Sequence, residues 1–142
     1  MPMNRTIWIR AVFSYLSLQS ILVGLWALAA PRSFYDDFPG AGRAWVSVDG
    51  PYNEHLVRDV GALNLALLVL FVVAALRPTA ELVRLAAAVA LVWGVPHLIY
   101  HAFNTDGLDT VDVVGNLGGL GLFVVLPATV LVRPVDEVAA RV

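Results

Sequence analysis

The chain has 142 residues, of which 59% are apolar and 14% charged, and a formal net charge of −2. Soluble domains average roughly 45–50% apolar and about 25% charged residues, so this composition, with a mean hydropathy of +0.77, excludes an ordinary water-soluble domain. All nine basic residues are arginines and none are clustered, which excludes a nucleic-acid partner, and the lack of cysteine excludes disulfides, thiolate metal ligands and thiol redox chemistry.

In chain order, apolar segments read at Ala11–Ala30, Val60–Leu76, Leu85–Phe103 and Val111–Val132. Each is near the ~20 residues that cross ~30 Å of hydrocarbon. They are rich in Leu, Ala and Val and lack the period-two alternation of barrel strands, so they are expected to be helices. With their polar flanks the spans fall at about 7–30, 54–76, 82–103 and 109–132. No Gly, Ser or charge tract divides the chain, so residues 1–142 are expected to form one all-α membrane domain, a four-transmembrane-helix bundle.

Arg5 and Arg10 before an apolar stretch ending Ala27-Leu28-Ala29 imitate a secretory signal. The stretch is longer than a usual signal core and carries Ser14, Ser17, Ser20 and Gly24 at a spacing expected to face the bundle, so it is read as the first span. Pro31–Asn53 is then the one long loop, with Phe34, Tyr35, Phe38, Trp45 and Tyr52 among Pro, Gly and Asp. Such aromatics suit the headgroup layer, and the loop is expected to lie across the bundle end or to close over a pocket.

Arg5, Arg10, Arg77, Arg84, Arg133 and Arg141 gather on one side of this topology. Arg32, Arg43 and Arg58 on the other side are diluted among Asp36, Asp37, Asp49, Glu54, Asp59, Asp106, Asp109 and Asp112. The positive-inside rule makes the first side cytoplasmic, which predicts both termini in and the long loop extracytoplasmic.

Antiparallel spans bring the start of the second, the end of the third and the start of the fourth to that outer face. The second opens with Asn53-Glu54-His55-Leu56-Val57-Arg58-Asp59, with Asn64 further in. The third ends with His97, His101 and Asn104 at i, i+4 and i+7. The fourth opens with Asp109, Asp112 and Asn116 at i, i+3 and i+7. Ionisable groups at membrane depth cost at least ~2.5 kcal/mol each and so usually face the bundle interior and mark function. The expected ligand-binding set is therefore His55, Arg58, Asp59, Asn64, His97, His101, Asn104, Asp112 and Asn116. The plain alternative is a structural network in which Arg58 pairs with Asp112 or Asp59.

His97 and His101 stand one helical turn apart, and with His55 or Asp59 they would give nitrogen and oxygen ligands to a transition metal. The spacing lacks the glutamate of HExxH, and a haem would need no more than one of these histidines. For acid–base chemistry the candidates are His97, His101, Asp112 and Glu54. Pro96 removes the hydrogen bond to the Val92 carbonyl and, with Gly94, is expected to kink the third span and open space beside the histidines. Gly115 and Gly119 form a GxxxG in the fourth span, a spacing expected to allow close helix contact within the monomer.

The run Pro31-Arg32-Ser33-Phe34-Tyr35, then Arg58-Asp59-Val60-Gly61 and the ends of the third and fourth spans, resembles small four-helix integral membrane proteins, many of them actinobacterial, and more loosely the DoxX-like group. The resemblance implies the four-helix fold and a bacterial cytoplasmic membrane, and it carries no chemistry residue by residue. The function expected is a binding or accessory membrane protein with a pocket for a lipophilic small molecule or a partner subunit. A membrane-embedded enzyme is the alternative, with eukaryotic four-helix sterol isomerases an analogy of fold only. A transporter fits least, because the polar residues stop in the outer half.

Overall fold

A computed structural model describes residues 5–132; Arg133 and Arg141, which carry part of the charge argument, lie outside them. Helix α1 (Arg5–Ala29) leads to a short α2 (Pro31–Asp37), a hairpin of β1 (Pro39–Gly40) and β2 (Arg43–Ala44), and a 3-10 turn at Ser47–Asp49. Then come α3 (Glu54–Leu76), α4 (Ala80–Phe103) and α5 (Thr110–Val132). The long helices of 23–25 residues measure roughly 35–38 Å at 1.5 Å per residue, enough to cross ~30 Å of hydrocarbon.

Local chemistry sets the ends of these helices. The Asn53 side chain caps α3 by accepting from the Leu56 N–H at 3.2 Å, and Thr79 caps α4 by accepting from Leu82 at 3.3 Å. Asp109 does the same for α5, accepting from the Asp112 N–H at 2.8 Å. Pro31 opens α2, where its missing N–H costs nothing, and α3 stops before Pro78, which disfavours helix in the residue preceding it. Helix α4 continues through Pro96.

Among the described residues, four helices are long and apolar enough to cross a membrane, and only 22–33% of each spanning window is buried within the protein. Their outward faces carry Leu18, Leu22, Val69, Val92 and Val114, all exposed. A continuous apolar girdle of this kind is incompatible with water and fits lipid, so the chain reads as a multi-pass membrane protein.

The helices associate as two pairs. Helix α1 packs along α3 and α4 along α5, while contact between the pairs is sparse. Gly24 of α1 meets Leu65, and Gly61 of α3 meets Leu28, the crossed order of antiparallel neighbours. A Cβ built on Gly61 would lie 2.7 Å from the Leu28 backbone nitrogen, so glycine is required for the two backbones to approach this closely. The buried face of α1 is Phe13, Leu16, Ser20, Gly24 and Ala27. Of the residues expected to face the bundle, Ser20 and Gly24 do so; Ser14 is exposed, and Ser17 bonds back to the Phe13 carbonyl at 2.7 Å. Three serines three apart drift round a helix of 3.6 residues per turn, so they cannot all share a face.

The two ends of the bundle differ. Where α1 begins and α3 ends, Phe13 stacks on Phe71 and Phe71 meets Phe123 edge-on, each pair with a centroid separation of 6.1 Å, among Leu16, Val83, Ala86 and Ala90. At this end Trp8 donates to Thr129 Oγ1 at 3.1 Å and ties the pairs together. At the opposite end, the segment between α1 and α3 is folded into a cap. Trp26 donates to Ser33 Oγ at 3.2 Å, Tyr35 donates to the Gly50 carbonyl at 2.6 Å, and Phe34 and Phe38 pack at 4.8 Å over Ala27 and Val57. The hairpin turns through Ala41 and Gly42, both at positive φ, as a tight two-residue loop requires.

Candidate functional site

The pairs are tied together at the packed end and part beneath the cap, leaving a cavity of about 620 Å³. Leu22, Val23 and Trp26 of α1 and Leu56, Val57 and Val60 of α3 form one wall. Trp93 and Gly94 of α4 with Gly119, Leu120 and Phe123 of α5 form the other, and Phe34, Phe38, Pro39, Trp45 and Val46 roof it. A largely apolar enclosure of this size with a few polar groups is the ordinary form of a small-molecule site.

Those polar groups come from all four long helices and the cap: Gln19, Asn64, His97, His101, Asn116 and Asp49. Asn64 is 6% exposed, and its Nδ2 donates to the Val60 carbonyl at 2.9 Å. Gln19 Nε2 donates to the Tyr15 hydroxyl at 3.0 Å, while its Oε1 is buried without a partner. Asn116 is 8% exposed, and its Oδ1 is likewise unpartnered. The His97 ring stacks on Trp93 at 5.0 Å and meets the edge of His101 at 4.8 Å. No hydrogen bond joins either imidazole to another group among the described residues. At the cap, partial burial pushes the Asp49 carboxyl up from its ordinary range, and the charge of His101 opposes the shift.

Of the residues singled out from sequence, the fold brings four to the cavity: Asn64, His97, His101 and Asn116. The others lie elsewhere. His55 bonds Asp59 at 3.1 Å with their side chains 82% and 61% exposed. The buried face of α3 runs through Val57, Gly61 and Asn64, and at 100° per residue His55 points about 200° away from Val57. Asn104 is exposed and donates to the Tyr100 carbonyl at 2.7 Å.

The expected pairing of Arg58 with Asp112 or Asp59 is corrected. Arg58 bonds Glu54, four residues earlier on the same face, at 2.9 Å, and donates to the Leu28 carbonyl. Asp112 is taken instead by Arg43 at 2.5 Å and by the Trp45 indole at 2.7 Å, with Asp109 3.3 Å from the same guanidinium. The hairpin thus reaches across and latches the cap to α5. Neither Glu54 nor Asp112 lines the cavity with the histidines, so the expected acid–base set is not assembled. The expected metal set of His55, His97, His101 and Asp59 is not assembled either; among the described residues no three or more such side chains gather to hold a metal ion.

The Gly115–Gly119 spacing also serves a different purpose from the one expected. Trp45 packs on Gly115, with the indole 3.0 Å from where a Cβ would stand, and Gly119 faces the cavity with no neighbour within 4 Å of that position. Sequence reasoning passed over Gln19, Trp93 and Asp49. Gln19 carried a usable signal as an amide deep in an apolar span, and Trp93 stands at i−4 from His97 and so shares its face. Asp49 carried none, because only the folding of the cap brings it over His101.

Comparisons with protein families, curated proteins and solved structures find no match.

Proposed function

We propose that this chain binds a lipophilic small molecule in the cavity between its helix pairs. In this reading it is a multi-pass protein of a bacterial cytoplasmic membrane, with both termini cytoplasmic and the cap on the outer face. The observation that carries the proposal is an apolar cavity of about 620 Å³ whose wall holds Asn116 and Gln19, each with a buried amide oxygen that has no partner among the described residues, beside two half-buried imidazoles. Buried polar groups are normally satisfied, so their presence in an otherwise apolar wall favours a ligand that completes them. Access from the bilayer suits the geometry, since the cap roofs the cavity while Leu22 and Leu56 touch it and also lie 61% and 59% exposed on the girdle.

The packed far end, with Phe13, Leu16, Phe71 and Val83 at 0% exposure, favours binding over conduction. Enzymatic use of His97 and His101 is the second reading, supported by their freedom from other hydrogen bonds and by Asp49 beside His101. Kinship with small actinobacterial-type four-helix proteins, loosely DoxX-like, belongs to the proposal and rests on sequence layout.

Native mass spectrometry of the detergent-purified chain tests the binding reading. Wild type is expected to carry a lipid-mass adduct at near-stoichiometric occupancy. Gly119→Phe, whose ring would occupy the cavity, is expected to carry none. Equal adducts on both proteins, or none on either, would remove the proposal.

A further inference from the structure

The polar groups of the cavity are layered by depth. His97 stands six residues before the end of α4 and Asn116 six after the start of α5, which sets both roughly 9 Å below the cap-side helix ends at 1.5 Å per residue. Gln19 stands ten residues before the end of α1 and Asn64 ten after the start of α3, roughly 15 Å down on the same rise. The deeper pair is partly satisfied within its own helices, through Tyr15 and the Val60 carbonyl. In the shallower tier Asn116 and His97 make no hydrogen bond among the described residues.

Among the described residues no arginine lines the cavity, and the one carboxylate that does is Asp49 in the cap. The nearby guanidinium groups are all committed outside it: Arg43 to Asp112 and Asp109, Arg58 to Glu54, and Arg32 to Asp36 at 2.6 Å. A carboxylate or phosphate at the depth of His97 would therefore lie in an apolar enclosure without a fixed counter-charge, and beneath a carboxylate that repels it. A buried ammonium would be drawn toward Asp49 in the cap but would find no carboxylate at the depth of His97 among the described residues. Amides and imidazoles instead offer hydrogen-bonding atoms without a permanent charge, which match an uncharged oxygen.

Resting on the binding reading above, we infer that the ligand is an uncharged lipid whose hydroxyl or carbonyl group seats between His97 of α4 and Asn116 of α5, with its apolar body against Trp26, Phe38, Val60 and Phe123. The specificity of the site is then for a neutral head. A ligand with the same body and a charged head is rejected because nothing in the wall replaces its hydration.

Three retinoids that share one apolar body separate the possibilities: retinol, retinoic acid and retinylamine, titrated against the full chain in nanodiscs and read by native mass spectrometry. Retinol is expected to bind one per chain, with at least about tenfold higher affinity than the carboxylate or the amine, as loss of an uncompensated charge implies. Asn116→Leu is expected to narrow that preference while leaving the amine and the carboxylate unchanged. Binding of retinoic acid or retinylamine as tight as retinol, abolished by Gly119→Phe, would overturn the neutral-head inference and leave the cavity reading standing. If none of the three binds wild type better than Gly119→Phe, the cavity reading falls and this inference falls with it.

Discussion

Asp112 and Arg58 are both charged residues beside the membrane surface, yet they carry different loads. Asp112 accepts from Arg43 and Trp45, two groups of the cap, with its side chain 14% exposed, whereas Arg58 is 44% exposed and bonds a glutamate on its own helix and the Leu28 carbonyl at the end of α1. Removing the Asp112 carboxylate altogether leaves the Trp45 indole N–H without its acceptor and the Arg43 guanidinium with only its longer contact to Asp109. Arg58 resembles a surface pair, worth about 0.2–1 kcal/mol. Asp112→Ala is therefore expected to lower the thermal midpoint in detergent more than Arg58→Ala, and to raise amide exchange selectively over residues 38–46. A larger loss for Arg58→Ala would show that the latch is not where the cap is held.

At the scale of the element, glycines of equal propensity do unequal work. Gly61 lies where α1 and α3 touch, and an added methyl would meet the Leu28 backbone at 2.7 Å, which no side-chain rotation relieves. Gly118 of α5 has nothing within 4 Å of its Cβ position. Gly61→Ala is expected to destabilise the pair by roughly 1–3 kcal/mol through overpacking. Gly118→Ala is expected to be neutral or to stabilise by about 0.4–1 kcal/mol through reduced backbone entropy of the unfolded chain. Reversible unfolding in mixed micelles measures both. Equal effects would mean that the α1/α3 approach is not a tight contact.

For the whole molecule, the cap and the turn between α3 and α4 lie at opposite ends of the bundle, so one labelling experiment decides orientation. The cysteine-free chain accepts a single cysteine at Ser47 in the cap or at Thr79 before α4. If the arginine distribution orients the protein, Ser47→Cys reacts with an impermeant thiol reagent in intact cells and Thr79→Cys does not. The reverse pattern would place the cavity mouth on the cytoplasmic side and remove the outer-leaflet part of the proposal. Thr79 caps α4, so Arg77→Cys serves as a second probe of the same turn.

The four apolar helices were legible in the sequence because spanning a membrane imposes length and hydropathy residue by residue, with no reference to partners. The caps at Asn53, Thr79 and Asp109 also act within one turn of chain, but hydropathy alone began the third span at about 82, inside the Ala80 start of α4. The shared inward placement of His97 and His101 also follows from local geometry, as i and i+4 lie on one face. Their convergence with His55 and Asp59 does not. That depended on how α3 is rotated, and the rotation is set by the backbone contact at Gly61 and by Val57 packing under Phe34, both made with distant segments. The partners of Asp112 likewise depended on a hairpin crossing from α1 to α5, a path that leaves no periodic trace in sequence. Apolar composition and length are local and could be read; the separation of the helix pairs, the cavity between them and the latch above it arise from contacts between residues as far as 121 apart in the chain, which only the tertiary fold decides.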